Sequence, residues 1–227
     1  MKARILIICI AAILSTACGT QKHITRSERY PGIYAERPHV ILVMPPINQT
    51  SNIEAKDLLY GSVSRPFAEK GYYVIPPILA LDILKNESAY DSENFVETPL
   101  GLFNQYFGAD AVVFSEIKKW NKSAAFGIET TIRYFIKSTK TNEILFDRTC
   151  DLHLSTGERV NGGGLFGVVA SLAISAVKTI VTDHIDAARE ANQFIFSDLP
   201  YGKYSEMYGK DKEKIAGEEY IKKRIKK

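Results

Sequence analysis

Three consecutive strand-like segments between residues 111 and 154 constrain the fold more than any other part of the sequence. In the middle segment the side chains alternate with a period of two from Thr130 to Lys137, which is typical of a strand with one face on a core. The breaks between the segments are short and polar, as in hairpin turns. The sequence therefore predicts an antiparallel meander of strands Ala111–Trp120, Phe126–Ser138 and Glu143–Leu154.

The part of the chain before this meander alternates strand and helix. Val40–Met44 is a continuous apolar run, which indicates a strand buried on both faces. Glu54–Lys70 repeats apolar residues at helical spacing, Pro66 is expected to kink or shorten its last turn, and Tyr72–Ile75 predicts a second strand. With a helical pattern reaching Phe196, we expect an α/β fold with an α+β tendency. It has a mixed sheet, a βαβα start, an antiparallel meander and a long C-terminal helix.

The amino terminus has the layout of an export signal. Lys2 and Arg4 are basic, Ile5–Leu14 is almost wholly apolar, and small residues precede Cys18. The apolar run is shorter than the ~20 residues of a membrane-spanning helix. A cysteine after small residues indicates a lipoprotein signal, so we expect residues 1–17 to be removed and Cys18 to carry fatty acyl chains. The alternative is an ordinary signal peptide in which the cysteine occurs by chance.

The cysteines leave no intrachain disulfide in the predicted mature protein. Cys9 leaves with the signal and Cys18 is acylated, so Cys150 remains alone. In an oxidising compartment the fold must then depend on its apolar core. Cys150 lies in an apolar-rich run and is interpreted as a small buried hydrophobic residue rather than a reactive thiol.

The charge of the chain is nearly balanced. Loss of Lys2 and Arg4 lowers the formal net charge from +3 to +1, so nucleic acid is not an implied partner. The exception is Lys210–Lys227, with eight basic and four acidic residues. This segment is a solvated, frayed helix or a contact for an anionic membrane surface or an acidic partner.

These patterns divide the chain into four parts. They are a signal peptide at 1–17, a lipidated tether at 18–38, a single α/β domain at 39–209, and a basic, flexible or helical tail at 210–227. Residues 162–177 carry no charge. They predict a helix buried in the core or in an oligomer interface, with membrane association of residues 162–181 as the alternative.

No catalytic, metal-binding or cofactor-binding pattern is recognisable. The histidines are isolated in the sequence: His23, His39, His153 and His184. The neighbours of His184 in sequence, Asp183 and Asp186, cannot all share one helix face with it. The glycines of Gly162–Gly167 lack the Lys-Ser/Thr of a phosphate loop. We predict no enzyme activity, no cofactor and no small-molecule substrate.

The chain resembles a family of bacterial lipoproteins typified by a genome-derived neisserial antigen. The resemblance rests on several short motifs that occur in the same order along the chain. They are Leu14–Cys18, Val43-Met44-Pro45-Pro46 with Asn48 and Thr50, Gly71-Tyr72-Tyr73-Val74, Gly108-Ala109-Asp110-Ala111-Val112, Trp120, the glycines before the long helix, and Pro200-Tyr201-Gly202. The resemblance covers residues 38–202. It implies a domain similar to the amino-terminal domain of TolB and to the periplasmic part of CsgG. It also implies a role in envelope assembly or transport with companion lipoproteins, and it carries over no catalytic residues to this sequence.

Three functions follow as hypotheses. The first is a non-enzymatic interaction module, anchored at the outer membrane and facing the periplasm, that docks other envelope lipoproteins or itself. Gly19, in place of an aspartate after Cys18, favours the outer membrane. The second is a component of a CsgG-like secretion channel with residues 162–181 associated with the membrane. The third is a hydrolase with an unrecognised site near Asp183 and His184.

Overall fold

A computed structural model describes residues 23–123, 127–155 and 184–226. The strands are β1 (Val40–Val43), β2 (Ile47–Asn48), β3 (Tyr73–Val74), β4 (Ala111–Ser123), β5 (Gly127–Ser138), β6 (Ile144–Ser155) and β7 (Tyr220–Lys226). The helices are α1 (Arg26–Arg29), α2 (Pro31–Glu36), α3 (Glu54–Ser62), α4 (Ser64–Glu69), α5 (Pro77–Asn86), α6 (Gly101–Phe107) and α7 (His184–Phe196), with a 3₁₀ turn at Ser92–Phe95.

The seven strands form one mixed sheet in the order β3-β1-β4-β5-β6-β7, with β2 paired to β4. β1 runs parallel to β3 and β4, and β2 runs parallel to β4. The pairs β4–β5 and β5–β6 are antiparallel, and β7 runs parallel to β6. The predicted fold class is confirmed: helices alternate with short parallel strands, and an antiparallel meander follows.

Two apolar clusters form the core, one on each face of the sheet at β1 and β4. Ile41 and Val43 face one cluster, to which α3, α4 and α7 contribute, while Leu42 and Met44 face a second cluster formed with α5 and α6. Both faces of β1 are therefore buried, which explains why its sequence is apolar without alternation.

Helix α7 packs on the first cluster through one face. Its buried residues recur at helical spacing: Ala187, Ala188, Ala191, Asn192, Ile195 and Phe196. The ring of Phe196 lies 4.6 Å from that of Phe67 and 4.8 Å from that of Tyr134 (centroid distances). The predicted helical pattern up to Phe196 is thus observed over residues 184–196.

The single helix predicted over Glu54–Lys70 is two helices, α3 and α4, separated at Val63. Pro66 has no N–H to donate to the Ser62 carbonyl, and its ring would clash with that carbonyl in a continuous helix. The Ser62 carbonyl instead accepts a hydrogen bond from Nδ2 of Asn192 at 3.3 Å. Pro66 therefore breaks the segment one turn earlier than predicted.

The predicted tether is wrong over residues 25–36, which form α1 and α2 and belong to the domain. Thr25 caps α1 through a reciprocal pair of hydrogen bonds with Glu28. Tyr30 and Ile33 are buried, and the Tyr30 ring lies 5.0 Å from that of Phe146. Two apolar side chains in a polar segment give too weak a periodicity to predict this packing.

The predicted flexible or helical tail is also wrong over Tyr220–Lys226, which is strand β7. Ile221 pairs with Cys150 and Ile225 with Leu154, so both isoleucines lie on the core face of the sheet. A spacing of four residues places two side chains on one face of a strand and also on one face of a helix. The sequence pattern alone therefore did not distinguish a strand from a helix in this segment.

Candidate functional site

Helices α5 and α6 form the walls of an apolar groove on the second face of the sheet. Proline at the first position of α5 suits a helix start, and Gly108 ends α6 in the left-handed conformation (φ 65°). The groove has a volume of about 960 Å³. Its lining comprises Ile83, Leu84, Glu87, Ala89, Phe95, Thr98, Pro99, Gly101, Leu102, Phe103, Tyr106 and Phe107.

Several large apolar side chains of α5 and α6 are exposed, and three of them, Ile83, Leu102 and Tyr106, line the groove. Leu102 is 60% and Tyr106 74% exposed on α6, while Ile78, Leu79 and Ile83 are exposed along α5. Isolated exposed apolar residues are common, but a contiguous set beside a concave surface is typical of an interaction site. An aromatic ring carrying a polar hydroxyl is also enriched at protein interfaces.

Acidic side chains predominate over basic ones in residues 82–97, and Glu87 of this stretch lines the groove. We call these acids the acidic rim. The exposed acids of residues 82–97 are Asp82, Glu87, Asp91, Glu93 and Glu97. The one basic residue of this stretch, Lys85, lies over the ring of Tyr90 with its Nζ 5.5 Å from the centroid. Residues 101–107 of α6 carry no charge. The groove is therefore mostly apolar, with Glu87 in its lining and a net negative charge in the stretch 82–97 beside it. This favours an apolar partner that carries basic side chains.

On the sheet face that carries the groove, strands β4, β5 and β6 also bear charged side chains, and these form ion pairs with one another. Arg133 donates to both carboxylate oxygens of Asp147, at 3.0 and 2.6 Å, and to Glu116 at 3.2 Å. Lys119 pairs with Glu129 at 2.7 Å across β4 and β5. These cross-strand pairs stabilise the sheet locally. The apolar groove is the better candidate for a docking surface.

A buried ionic cluster fastens α1 and α2 to the segment after α7. Arg26 donates from Nε to Asp198 at 3.0 Å and from Nη1 to Asp211 at 2.9 Å. Tyr30 donates to Asp198 at 2.7 Å, and Tyr34 donates to Asp211 at 3.1 Å. Burial alone would lower the pKa of Arg26, but Asp198 and Asp211 outweigh it and raise that pKa. We call Arg26, Tyr30, Tyr34, Asp198 and Asp211 the clasp.

A second buried arginine supports the clasp from the sheet. Arg148 on β6 donates from Nη1 to the carbonyls of Phe194 and Ile195 at the end of α7. Its Nε and Nη2 donate to the Glu218 carbonyl at 2.9 and 2.8 Å. Burial lowers the pKa of Arg148. Arg148 ties the end of α7 to the segment that leads into β7, so its role is structural.

Two of the motifs noted in the sequence contact each other. The N–H of Gly202 donates to the Lys70 carbonyl at 2.9 Å, and the Tyr72 hydroxyl donates to the Pro200 carbonyl at 2.8 Å. A Cβ on Gly202 would lie 2.5 Å from the Gly71 carbonyl oxygen. The motifs Gly71-Tyr72 and Pro200-Tyr201-Gly202 therefore form a close backbone joint.

The motif Gly108-Ala109-Asp110 also closes the fold. Asp110 accepts hydrogen bonds from the N–H groups of His39 and Val40 at 2.9 and 3.0 Å. Thr139 donates from its hydroxyl to the carbonyls of Ala109 and Asp110. This carboxylate thus fixes the start of β1 beside the start of β4.

The predicted site residues are only partly within the described chain. Cys18, the signal at 1–17 and the uncharged stretch 162–177 lie outside it, as does Asp183. Cys150 is buried, as predicted, and burial raises the pKa of its thiol to about 12. His184 stacks on Trp120, with ring centroids 5.2 Å apart.

The described residues contain neither a metal-binding cluster nor a membrane-spanning helix. Within 23–123, 127–155 and 184–226, no three His, Cys, Asp or Glu side chains are grouped so that they could bind a metal ion. In the same ranges, no helix is both long enough and apolar enough to cross a membrane.

The groove was not predicted from the sequence, although α5 contains a signal for it. Five apolar residues larger than alanine occur between Ile78 and Leu84, which is more than one buried helix face accommodates. In the structure only Ala80 and Leu84 of α5 are buried. An excess of apolar residues on a short helix was the available indication of an exposed face.

The family model described as "Putative lipoprotein GNA1162-like" matches residues 29–201 of the chain. The chain belongs to this family. It is also 24% identical over 182 residues to "Putative lipoprotein NMB1124/NMB1162" of Neisseria meningitidis serogroup B, covering 78% of this chain and 83% of that protein. The resemblance noted in the sequence is thereby confirmed, and neither description names an enzymatic activity.

Two solved structures are similar at a lower level. The crystal structure of lipoprotein GNA1162 from Neisseria meningitidis is 20% identical, with a TM-score of 0.47, and the match covers 64% of this chain and all of that one. The LpoB C-terminal domain from Salmonella enterica is 14% identical, with a TM-score of 0.38, covering 51% of this chain and 82% of that domain.

Proposed function

We propose that this member of the lipoprotein family is a non-enzymatic docking module of the bacterial envelope. Acyl chains such as palmitate on Cys18 hold it at the outer membrane, and its domain faces the periplasm. Several acyl chains on one cysteine give a firm anchor, since each buried methylene contributes ~0.8 kcal/mol. Membership of the family and the signal that ends at Cys18 support the anchoring.

The observation that carries the docking role is the exposed apolar groove between α5 and α6 with its acidic rim. We infer that its occupant is an apolar segment with basic side chains, supplied by another envelope protein. A helix laid in a groove between two helices is a common mode of such recognition. Symmetric pairing of two copies through this groove is disfavoured, because the two acidic rims would face each other.

The docking role is tested by co-purification of the native lipoprotein from gently solubilised envelopes. We expect the double substitution Leu102→Glu/Tyr106→Glu to remove the partner that the unchanged protein retains. Both side chains are more than half exposed, so the thermal unfolding midpoint should stay within a few degrees. The matched control is Ile53→Glu, because Ile53 is 88% exposed at the start of α3 and does not line the groove.

The outcomes of this experiment are distinct. Loss of the partner in the groove variant, with retention in the Ile53 variant, supports the proposal. Equal recovery in all three proteins, or recovery of the unchanged protein as a monomer without partner, contradicts it. Anchoring is tested separately: Cys18→Ala should abolish labelling by a palmitate analogue and flotation with membranes.

A further inference from the structure

The start of the described chain is hydrogen-bonded along the segment that precedes β7. The carbonyl of Ile24 accepts from the N–H of Ala216 at 2.8 Å, and the N–H of Arg26 donates to the Lys214 carbonyl at 2.8 Å. Thr25 and Ile215 form an antiparallel bridge between these two contacts. The side chains of residues 212–216 are therefore fixed beside the point where the chain leads back toward Cys18.

The covalent chain limits how far this point lies from the lipid. Ile24 follows Cys18 by six residues. Since an extended chain spans at most ~3.3–3.6 Å per residue, Ile24 lies within about 20 Å of the lipidated cysteine. That distance is less than the thickness of a bilayer's hydrocarbon core, ~30 Å. With Cys18 lipidated as proposed above, residues 212–216 therefore remain within reach of the membrane surface.

The surface beside Ile24 has the composition of a membrane-contacting surface. Ile215 is 61% exposed and Ile24, whose carbonyl is hydrogen-bonded to the next residue, Ala216, is also exposed. Earlier in the same segment, Tyr204 is 68% exposed and Met207 is exposed. The lysines of this surface are all exposed: Lys203, Lys210, Lys212 and Lys214. We call Ile24 with residues 203–216 the basal patch. Lysines that reach anionic headgroups around apolar and tyrosine side chains are typical of interfacial protein segments.

The clasp gives the basal patch its positive charge and its fixed shape. Asp211 is fully buried and paired with Arg26, so it does not offset the four lysines at the surface. The exposed acids between residues 203 and 216 are Glu206 and Glu213. Because Asp198 and Asp211 both bind Arg26, two residues after Ile24, the start of the described chain and residues 211–216 are held together.

We infer that the basal patch lies against the phospholipid surface in which the lipid of Cys18 is embedded. Its lysines contact anionic headgroups, and Ile215 and Tyr204 enter the headgroup region. The inference rests on the lipidation of Cys18 proposed above. It assigns the protein a fixed orientation on the membrane, with the anchor and the patch acting as two linked attachments to one surface.

The test uses the native lipoprotein reconstituted into vesicles of phosphatidylethanolamine with about one-third phosphatidylglycerol. An environment-sensitive fluorophore is attached after the substitution Ile215→Cys, and separately after Ile53→Cys. Cys150 is buried and Cys18 is acylated, so labelling is confined to the introduced thiol. We expect a blue shift and severalfold quenching by spin-labelled lipids at position 215 and neither effect at position 53.

Two further samples test the charge and the tether. Replacing the four lysines by glutamine, or using purely zwitterionic vesicles, should reduce the quenching at position 215 at least threefold. Inserting about thirty Gly/Ser residues after Gly19 should reduce it as well, because a longer tether lowers the effective concentration of the patch at the surface.

Flotation of each sample with its vesicles separates the two proposals. Protein that does not float contradicts the lipid anchor itself. Protein that floats while the label at position 215 stays in water overturns the basal-patch inference and leaves the anchor intact. Quenching that is equal in zwitterionic vesicles overturns the role of the lysines. Quenching only at position 215, and only with anionic lipid, supports the inference.

Discussion

At the scale of single residues, Arg26 joins the first helix to the segment after α7. It pairs with both Asp198 and Asp211, and its side chain is only 10% exposed. We expect Arg26→Met to lower the free energy of unfolding by ~3–5 kcal/mol, because two buried carboxylates lose their counter-charge. Urea denaturation of the purified protein measures this.

Arg29 provides the matched control on the same helix. It pairs with Glu219, which is 63% exposed on its side chain. A pair of this kind contributes ~0–1 kcal/mol, so Arg29→Met should leave the unfolding midpoint almost unchanged. Equal losses for the two substitutions would show that the clasp does not hold the N-terminal helices in place.

Cys150 is a second residue with a testable chemical state. Burial raises the pKa of its thiol from 9.0 to about 12, and the thiolate is the reactive species. At pH 8 the thiolate fraction is then lower by about three orders of magnitude than in a free thiol of pKa 9. We expect iodoacetamide to modify Cys150 only after urea unfolding, as measured by mass spectrometry. Rapid modification of the folded protein at pH 8 would contradict this burial.

At the scale of structural elements, the joint between Gly71 and Gly202 connects α4 to the segment after α7. A Cβ at Gly202 would lie 2.5 and 2.8 Å from backbone atoms of Gly71. Gly202→Ala must therefore displace backbone, and we expect a loss of ~1–3 kcal/mol in stability. Gly61→Ala is the control, because nothing lies within 4 Å of its added Cβ and alanine favours the α3 helix by up to ~1 kcal/mol. Thermal unfolding of both variants should show shifts of opposite sign.

The elements predicted correctly from the sequence are those in which buried residues follow a regular pattern along the chain. The alternation in β5 and the apolar run of β1 reflect packing on one face and on two faces respectively. α1, α2 and β7 were missed because each contributes at most two apolar side chains to the core. Their position depends on Arg26, Arg148 and backbone pairing with distant segments. Such long-range contacts leave no periodic trace in the sequence.

At the scale of the whole molecule, function depends on which surfaces remain uncovered, and sequence patterns report this poorly. No docking surface was predicted from the apolar residues of α5 and α6, yet Leu102 and Tyr106 face solvent. The basic tail was predicted as one flexible or helical unit. The structure divides it between the basal patch and β7. Compartment and anchoring were inferred from the residues around Cys18 alone, so the sequence is the source of those proposals.

The groove and the basal patch should act independently, because they belong to different faces of the sheet. The groove lies over the second core cluster, whereas Tyr30 and Ile33 of the clasp region belong to the first. Substitutions that share no partner usually have additive effects within ~0.5 kcal/mol. Leu102→Glu/Tyr106→Glu should therefore abolish partner recovery and leave the quenching at position 215 unchanged.

The lysine-to-glutamine variant of the basal patch should show the converse, retaining the partner while losing contact with anionic lipid. Combining the groove and lysine substitutions should give both losses in one protein. The change in its free energy of unfolding should equal the sum of the two separate changes. If the lysine substitutions also remove the partner, the orientation of the domain on the membrane controls access to the groove. Co-purification repeated with the long Gly/Ser tether then shows whether the lysines act through domain orientation or contact the partner directly. On a long tether the domain tumbles freely and exposes the groove whether or not the patch binds lipid, so the partner should be recovered again only if orientation was the cause.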